Sequence, residues 1–462
     1  MSKFHQAVYD QDLIRAPDAQ FELLNALLLS GPVRSFPDLT LSPVFRRQWP
    51  SAYAVIEAGR QDRQQLEAQF VAQVPREGGQ VFALDGTAWP HPAARSLADR
   101  QYVRGCTQAV HDATVIGHPY SVLAWVPEAH SSWAPPLSVR RVPSHQTATE
   151  MGIAQVKRLC QQRAAEMEET LYLVIGDGKY GNQHFLRALK DEPCGTLVRL
   201  RCDRVLYGAP GPYSGKGRPR VHGERFAFQE PATWGAADAE VALEHERWGD
   251  VHLRRWDHLH ARQDGTTSFS VILAETHRER EQPADPFWLA YQPPPHQTPD
   301  DHPLTALWQW FAWRWPVEPS IRFRKQHLQW TLPRFQTPAR CDRWTMLVNI
   351  AHWELFLARD TVQDAPLHWQ PAQARLTPER TLQSLGATFR HPRKHPNPAE
   401  SRRGGPKGSR GRVPSAIRWS EKAISGPRWP KTRLLTYANQ ARLSPSVLTF
   451  IQTRVSTTTR LY

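Results

Sequence analysis

A mixed α/β fold with a central sheet is predicted by the order of apolar patterns between residues 77 and 365. Two strand-type runs, QVFALDGTAW and YSVLAWVPE, precede a helical pattern, after which strand, helix and strand patterns alternate. An antiparallel β insertion at about 208–268 interrupts this order. A helical N-terminal region at 1–76 precedes the α/β domain and a basic C-terminal tail at 366–462 follows it. The α/β class rests on this alternation.

The N-terminal region carries two helical patterns. AQFELLNALLLSG at 19–31 is apolar at helical spacing and ends at a glycine, and residues 51–74 repeat the pattern. Two interpretations are open, a small DNA-binding module whose arginines face phosphates or a helical cap that packs on the next domain. The arginines concerned are Arg46, Arg47 and Arg60.

The α/β domain continues with LYLVIGDGKYG at 171–181, a buried-strand run whose apolar residues stop at Gly176 and Asp177. A helix at about 182–190 and a strand at 196–207 come next. The insertion then alternates apolar and polar residues in β fashion, and the strand FSVILAE restores the apolar pattern. Three helices complete the domain, at about 303–314, 320–330 and 342–359.

Composition indicates a globular protein with a polyanionic partner. The 462 residues are 40% hydrophobic, and the formal net charge is +14 with a pI near 9.8. Lysine and arginine bind a phosphate backbone by displacing its counterions, so nucleic acid is the leading candidate. No run of about 18 apolar residues is present to span a bilayer, which makes a membrane partner the weaker alternative.

A cytoplasmic location is expected from the cysteines and the N-terminal stretch. The five cysteines are scattered and contain no C-x-x-C pair, which is typical of reduced, structural thiols. The first residues, MSKFHQAVYDQDLIRAPD, have no apolar core of the secretory kind. None of the twenty histidines shows zinc-ligand spacing in the sequence.

The tail is strongly basic. Between 390 and 433 there are thirteen lysines and arginines against two glutamates. Such a block is usually solvated and disordered, although its SRRGGPKGSRGRVP core could also track phosphates or lie along a DNA groove.

Two aspartates stand where strand patterns end. Asp85 in LDGT and Asp177 in IGDGKYG both follow apolar runs, and α/β sheets place functional side chains at the carboxyl ends of strands. Asp-Gly is also ordinary turn chemistry, so either aspartate alone would favour a turn. The pair becomes informative when a third carboxylate is considered.

Glu318 lies in the stretch FAWRWPVEPSIRFRKQH, among basic residues and between two prolines. Arg314, Glu318 and Arg322 are spaced as neighbours on a helix and could form a surface ion-pair ladder. The alternative is a site. Three carboxylates from two strand ends and a helix can hold two divalent ions such as Mg²⁺, with the basic residues clamping a scissile strand.

From Phe311 onward the sequence reads F-x2-R-x3-E-x6-K, which resembles the Y-x2-R-x3-E-x6-K signature of DDE transposases of bacterial insertion sequences. The resemblance covers roughly 80–360 and implies a ribonuclease-H-like catalytic domain. By it, Asp85, Asp177 and Glu318 are the catalytic triad and hold two Mg²⁺ ions, which Mn²⁺ could replace. Arg314 and Lys325 would contact DNA phosphates.

Other residues either depart from this signature or are further candidates for contacts with DNA. Phe311 lacks the hydroxyl that the tyrosine of the signature offers to phosphate, so that contact is not expected here. Arg322 and Lys179 are further candidates for DNA binding. Such proteins place a tryptophan of the insertion against a flipped base, for which the candidates by location are Trp234, Trp248 and Trp256, although core packing is the more common role.

The resemblance implies a bacterial, nucleoid-associated DNA transposase. It would cleave DNA at the terminal inverted repeats of an insertion sequence and transfer the strand into target DNA, as a homodimer on DNA. The first alternative is a ribonuclease-H-like endonuclease or resolvase without strand transfer. The second is an inactive, transposase-derived DNA-binding protein, and the least specific is a basic structural protein that uses only its tail.

Overall fold

The computed structural model describes residues 2–389, with the exception of residues 32, 95, 108–109, 214, 216 and 278–285. Ten α-helices lie in the described part: α1 Ser2–Ala7, α2 Pro17–Leu29, α3 Trp49–Ala58, α4 Arg63–Ala72, α5 Ala148–Met167, α6 Gln183–Leu189, α7 Leu304–Ala312, α8 Val317–Gln326, α9 Pro338–Ala358 and α10 Pro378–Phe389. None of the helices in these residues is long and apolar enough to cross a membrane.

The strands of the described residues form one twelve-stranded mixed sheet. They are β1 Gln80–Pro90, β2 Gln101–Thr107, β3 Val110–Val126, β4 Pro136–Arg141, β5 Tyr172–Gly176, β6 Gly195–Leu200, β7 Val205–Tyr207, β8 Arg225–Ala227, β9 Ala239–His245, β10 Gly249–Ala261, β11 Asp264–His277 and β12 Phe287–Gln292. The prediction of a mixed α/β fold is confirmed.

The centre of the sheet contains its only parallel pairs among the described strands. β1 runs parallel to β5 and β5 parallel to β6, with β3 antiparallel on the other side of β1. Every residue of β5 is buried, and so are the first six of β1. Strands covered on both faces read as continuous apolar runs, which is the pattern seen in VFAL and YLVI.

The β-rich insertion belongs to the same sheet. From β6 the order continues through β12, β11 and β10 to β7 and β8, and β9 pairs with β10. The strand predicted at 196–207 is divided into β6 and β7, which pair with β12 and β10 respectively. The insertion therefore extends the central sheet through antiparallel strands.

The N-terminal helices pack on the C-terminal ones. Helix α2 contacts both α9 and α10. The stretch 51–74 forms two helices, α3 and α4, rather than one. Glu22 of α2 is buried and forms ion pairs with Arg46 at 2.8 Å and with Arg47 at 3.4 Å. Arg60 donates to the carbonyl of Gly59 at 2.8 Å. All three arginines thus have partners within this region.

Helix α9 lies at the centre of the helical layer. Pro338 occupies its first turn, where a missing N–H costs nothing, and the Thr337 hydroxyl accepts from the N–H of Arg340. The helix is buried on almost all sides. Trp353 stacks on Trp125 of β3 and donates its indole N–H to the carbonyl of Pro136 at 2.6 Å. These contacts attach α9 to the sheet.

Ordered structure continues beyond the predicted domain end at 365. Helix α10 packs on α2 and α9, and the indole of Trp133 donates to the carbonyl of Leu376 at 2.8 Å. The first part of the segment assigned to the tail is thus attached to the α/β core. The basic block at 390–433 lies outside the described residues.

Candidate active site

The parallel pairing of β1 and β5 brings Asp85 and Asp177 together. The last paired residues are Leu84 and Gly176, and each aspartate is the next residue along the chain. Neighbouring strands lie about 4.8 Å apart, so the two carboxylates project from adjacent positions. Asp85 is not at the end of its strand, because β1 continues to Pro90 through its antiparallel ladder with β3. It stands where the parallel ladder stops.

Asp85 is a buried carboxyl group. The residue is 9% exposed, and its Oδ1 accepts from the N–H of Gly86 at 2.7 Å. Burial raises the pKa of Asp85 to about 6, and the charge of Asp177 contributes to the rise, against the opposing effects of Arg314 and Lys179. The Asp177 carboxylate is less enclosed and accepts from the N–H of Lys179 at 3.0 Å.

Glu318 lies in the first turn of α8 and its side chain is 48% exposed. Pro316 caps the helix and Pro319 falls within the first turn, where backbone N–H groups have no partner inside the helix. The prolines that flank Glu318 are therefore compatible with a helix at this point. A carboxylate in the first turn is also favoured by the helix dipole.

Arg314 lies between Asp85 and Glu318, which are 233 residues apart in the sequence. Its guanidinium is 3.8 Å from Asp85 Oδ2 and 3.7 Å from Glu318 Oε1. The i,i+4 ion pair of the surface-ladder interpretation is thus present. It does not stay at the surface, because the same guanidinium reaches the buried carboxylate of β1. Arg314 links the helix to the sheet at the site.

Lys179 lies beside the two aspartates. Its Nζ occupies the space over Gly86, where an added Cβ would lie 2.6 Å from it. The side chain is exposed, yet its charge lowers the pKa of Asp85. A glycine after Asp85 leaves this space open for the ammonium group.

The other basic residues of the Glu318 stretch divide into two groups. Arg322 is exposed and Lys325 is half-buried, whereas Arg324 is fully buried, donates to Asn349 at 3.3 Å and lies over the ring of Trp330. Burial lowers the pKa of Arg324 to about 9. Arg324 is therefore a core residue, whereas Arg322 is exposed and both Lys325 and Arg314 are half-buried.

The tryptophans of the insertion pack into the core. Trp256 is buried and Trp234 is half-buried, and both rings contact Trp288. Trp248 lies against Trp308. An exposed indole lies elsewhere, at Trp315 next to Arg314, which is 48% exposed and has the Arg247 guanidinium 3.4 Å from its ring centroid. No local pattern in the sequence distinguishes this tryptophan from its neighbours.

Phe311, the residue that departs from the signature, is buried against Phe287 and Trp308. It contributes to packing between α7 and β12. The absence of a hydroxyl at this position therefore fits its apolar surroundings.

The carboxylates supply oxygen ligands, which divalent cations such as Mg²⁺ prefer. Burial and, after it, the charge of Asp177 raise the pKa of Asp85, and a cation between the two carboxylates would relieve their repulsion. Among the described residues, Asp85, Asp177 and Glu318 do not form a group with ligand atoms all within 4.8 Å of one another. The guanidinium of Arg314 lies between Asp85 and Glu318. It would have to move away before a cation could bind both carboxylates.

Comparison with known proteins gives a family match over residues 9–261, to a model described as "DDE superfamily endonuclease". No curated protein matches the chain. A solved structure, "Crystal structure of the C-terminal lobe of a budding yeast Argonaute", is similar at 11% identity and a TM-score of 0.22. That match covers 73% of this chain and 62% of the Argonaute chain, which is less than two thirds of it.

The family match spans more than half of the 462 residues, and it includes both aspartates and the strands that pair them. The chain belongs to the DDE superfamily of endonucleases.

Proposed function

We propose that the chain is a DNA transposase of a bacterial insertion sequence, with a ribonuclease-H-like catalytic domain. The observation that carries the proposal is the arrangement of three carboxylates. Asp85 and Asp177 occupy adjacent positions directly after the parallel pairing of β1 and β5, and Arg314 links Glu318 to Asp85. The signature shared with transposases begins at Phe311 and includes two of these residues, Arg314 and Glu318.

Asp85, Asp177 and Glu318 are the proposed ligands of two Mg²⁺ ions, for which Mn²⁺ would substitute. When bound, such ions stabilise the charge that develops on the attacking and leaving oxygens of a phosphoryl displacement. The buried position of Asp85 limits the access of bulk water to that carboxylate. The exposed position of Glu318 lets α8 approach a DNA strand from the solvent side.

The cations around the carboxylates are proposed to hold the DNA. Arg314 would exchange its two carboxylates for a phosphate, because guanidinium groups bind phosphate in a bidentate manner. Lys179 and Arg322 are exposed and Lys325 is half-buried, so these side chains can reach a backbone outside the site. Together they would align the scissile phosphate for in-line attack.

Two displacements complete the proposed reaction. In the first, a water oxygen bonds to phosphorus, the bond from phosphorus to the 3′ oxygen breaks, and that oxygen leaves with a proton as a free 3′-hydroxyl. In the second, this hydroxyl attacks a phosphate of target DNA, and a target 3′ oxygen leaves. Since both terminal inverted repeats must be held together, we propose a homodimer on DNA, in the bacterial nucleoid.

The experiment that tests this proposal incubates the full chain with a labelled duplex of the element's end and a target plasmid, with Mg²⁺ or a chelator. We expect cleavage and joined products that require the metal and are lost in Asp177→Asn. Cleavage without joining would favour a nuclease or resolvase. DNA binding without cleavage would contradict the proposal in favour of an inactive DNA-binding protein.

A further inference from the structure

A second group of potential metal ligands lies outside the carboxylate site. His91 follows the end of β1, His118 lies in β3 and Cys341 lies in the first turn of α9. All three residues are buried, and Cys341 is a free thiol. Within the described residues, this is the group of three whose ligand atoms all lie within 4.8 Å of one another.

The hydrogen bonds of His118 leave one nitrogen without a partner. Its Nε2 lies 3.1 Å from the carbonyl of Ala98, which can only accept, so Nε2 carries the proton. Nδ1 then holds a lone pair, and this atom is buried without a hydrogen-bond partner. A metal-ligating histidine typically donates its other N–H to a carbonyl in this way.

His91 and Cys341 complete the group. The Cys341 sulfur lies 3.9 Å from His91 Nε2, and the His91 ring lies 5.3 Å from the ring of Trp89 and 5.2 Å from the ring of His118. The Cys341 thiol therefore lies beside the imidazole of His91, while Nδ1 of His118 has no hydrogen-bond partner.

We propose that His91, His118 and Cys341 form a zinc site. Thiolate and imidazole are the donors that Zn²⁺ prefers, whereas Mg²⁺ prefers the oxygens of the carboxylate site. Binding would release the thiol proton of Cys341 and leave a fourth position for a water molecule or another small ligand. Sequence spacing gives no sign of the site, because His91 and Cys341 are 250 residues apart.

The buried position of its three ligands, apart from the carboxylates, gives this site a structural role. It joins the end of β1 and the middle of β3 to the first turn of α9, next to the ion pair between Arg141 and Asp342 at 3.4 Å. His91 follows the strand that carries Asp85, yet the three ligands belong to a separate cluster. Zinc bound here would hold β1 against the helical layer without contacting DNA, whether or not the chain is a transposase.

The test is the metal content of the full chain, purified without an affinity tag and measured by mass spectrometry. We expect about one zinc per chain, reduced to background in Cys341→Ser and in His118→Asn. The control is Cys202→Ser, since Cys202 is an exposed free cysteine and its variant should keep the metal. Zinc retained in both ligand variants, or absent from the wild type, would overturn the proposal.

A second measurement covers the case in which the variants fold poorly. Wild-type protein stripped by a chelator should gain thermal stability when Zn²⁺ is added, and Co²⁺ should give a thiolate-to-cobalt absorption band. Mg²⁺ should give neither effect at the same concentration, because it avoids nitrogen and sulfur ligands. No zinc-dependent shift and no band would refute the site whatever the behaviour of the variants.

Discussion

Replacing Asp85 with asparagine should make the metal-free protein more stable while it removes activity. Asp85 is buried beside Asp177, and its pKa is raised from 3.8 to about 6. That rise corresponds to about 3 kcal/mol of unfavourable free energy for the ionised, folded form at neutral pH. Asparagine carries no charge, and its carbonyl oxygen can still accept from the N–H of Gly86.

The expected gain is smaller than the whole electrostatic cost. The buried amide group of the introduced asparagine would lack a full set of partners, which costs about 1 kcal/mol. A net gain of about 2 kcal/mol remains, equivalent to a rise in Tm of about 2 °C for a protein of this size. The assay is thermal or denaturant unfolding of both proteins at pH 8 with a chelator present.

The pH dependence has a definite sign. Because the folded state holds the Asp85 proton more tightly than the unfolded state, the wild type loses stability as pH rises from about 4 to about 6. The advantage of Asp85→Asn should therefore be largest above pH 7 and fall to roughly a third of that value at pH 5. The control Glu318→Gln removes an exposed carboxylate and should change stability by less than about 0.5 kcal/mol. A destabilised Asp85→Asn variant at pH 8 would refute this account of the site.

Three further substitutions test other contacts. Gly181→Ala would place a Cβ 1.8 Å from the carbonyl oxygen of Arg199 and should lower the free energy of unfolding by about 3 kcal/mol. The control Gly178→Ala adds its Cβ in open space and should cost little in denaturant unfolding. Equal effects of the two substitutions would contradict this clash. Trp353→Phe loses the hydrogen bond to the carbonyl of Pro136 and should lower the free energy of unfolding by about 1 to 3 kcal/mol. Trp369→Phe, at an exposed indole, should change it by almost nothing. An unchanged stability of Trp353→Phe would refute the contribution of this hydrogen bond. Arg314→Gln should lower the cleavage rate roughly tenfold to a hundredfold, because one charge-assisted phosphate contact is lost, and an unchanged rate would exclude that contact.

Local patterns predicted the central strands and most helices, because continuous apolar runs mark strands buried on both faces. The same runs ended at Asp85 and Asp177, which explains why both residues stood out. The exact register did not follow from sequence, since β1 continues beyond Asp85 only because β3 pairs with it. Pairing of the insertion with the central sheet is likewise a matter of long-range contacts.

The surroundings of the site were harder to predict than its carboxylates. The spacing of Arg314 and Glu318 indicated an ion pair, but the reach of Arg314 to Asp85 depends on how α8 packs on β1. Arg324 lies in a basic stretch and nevertheless enters the core. Helical spacing alone does not distinguish these outcomes, since the orientation of α8 is fixed by tertiary packing.

The measurement that tests the central claim most directly is cleavage of a labelled duplex carrying the element's own end. Wild type, Glu318→Gln and the matched control Glu240→Gln, an exposed glutamate of the insertion, would be compared with Mg²⁺ and with a chelator. We expect metal-dependent nicking by the wild type and the control, and its loss in Glu318→Gln with DNA binding retained. Equal nicking by Glu318→Gln would contradict the account and leave Glu318 as one member of a surface ion pair.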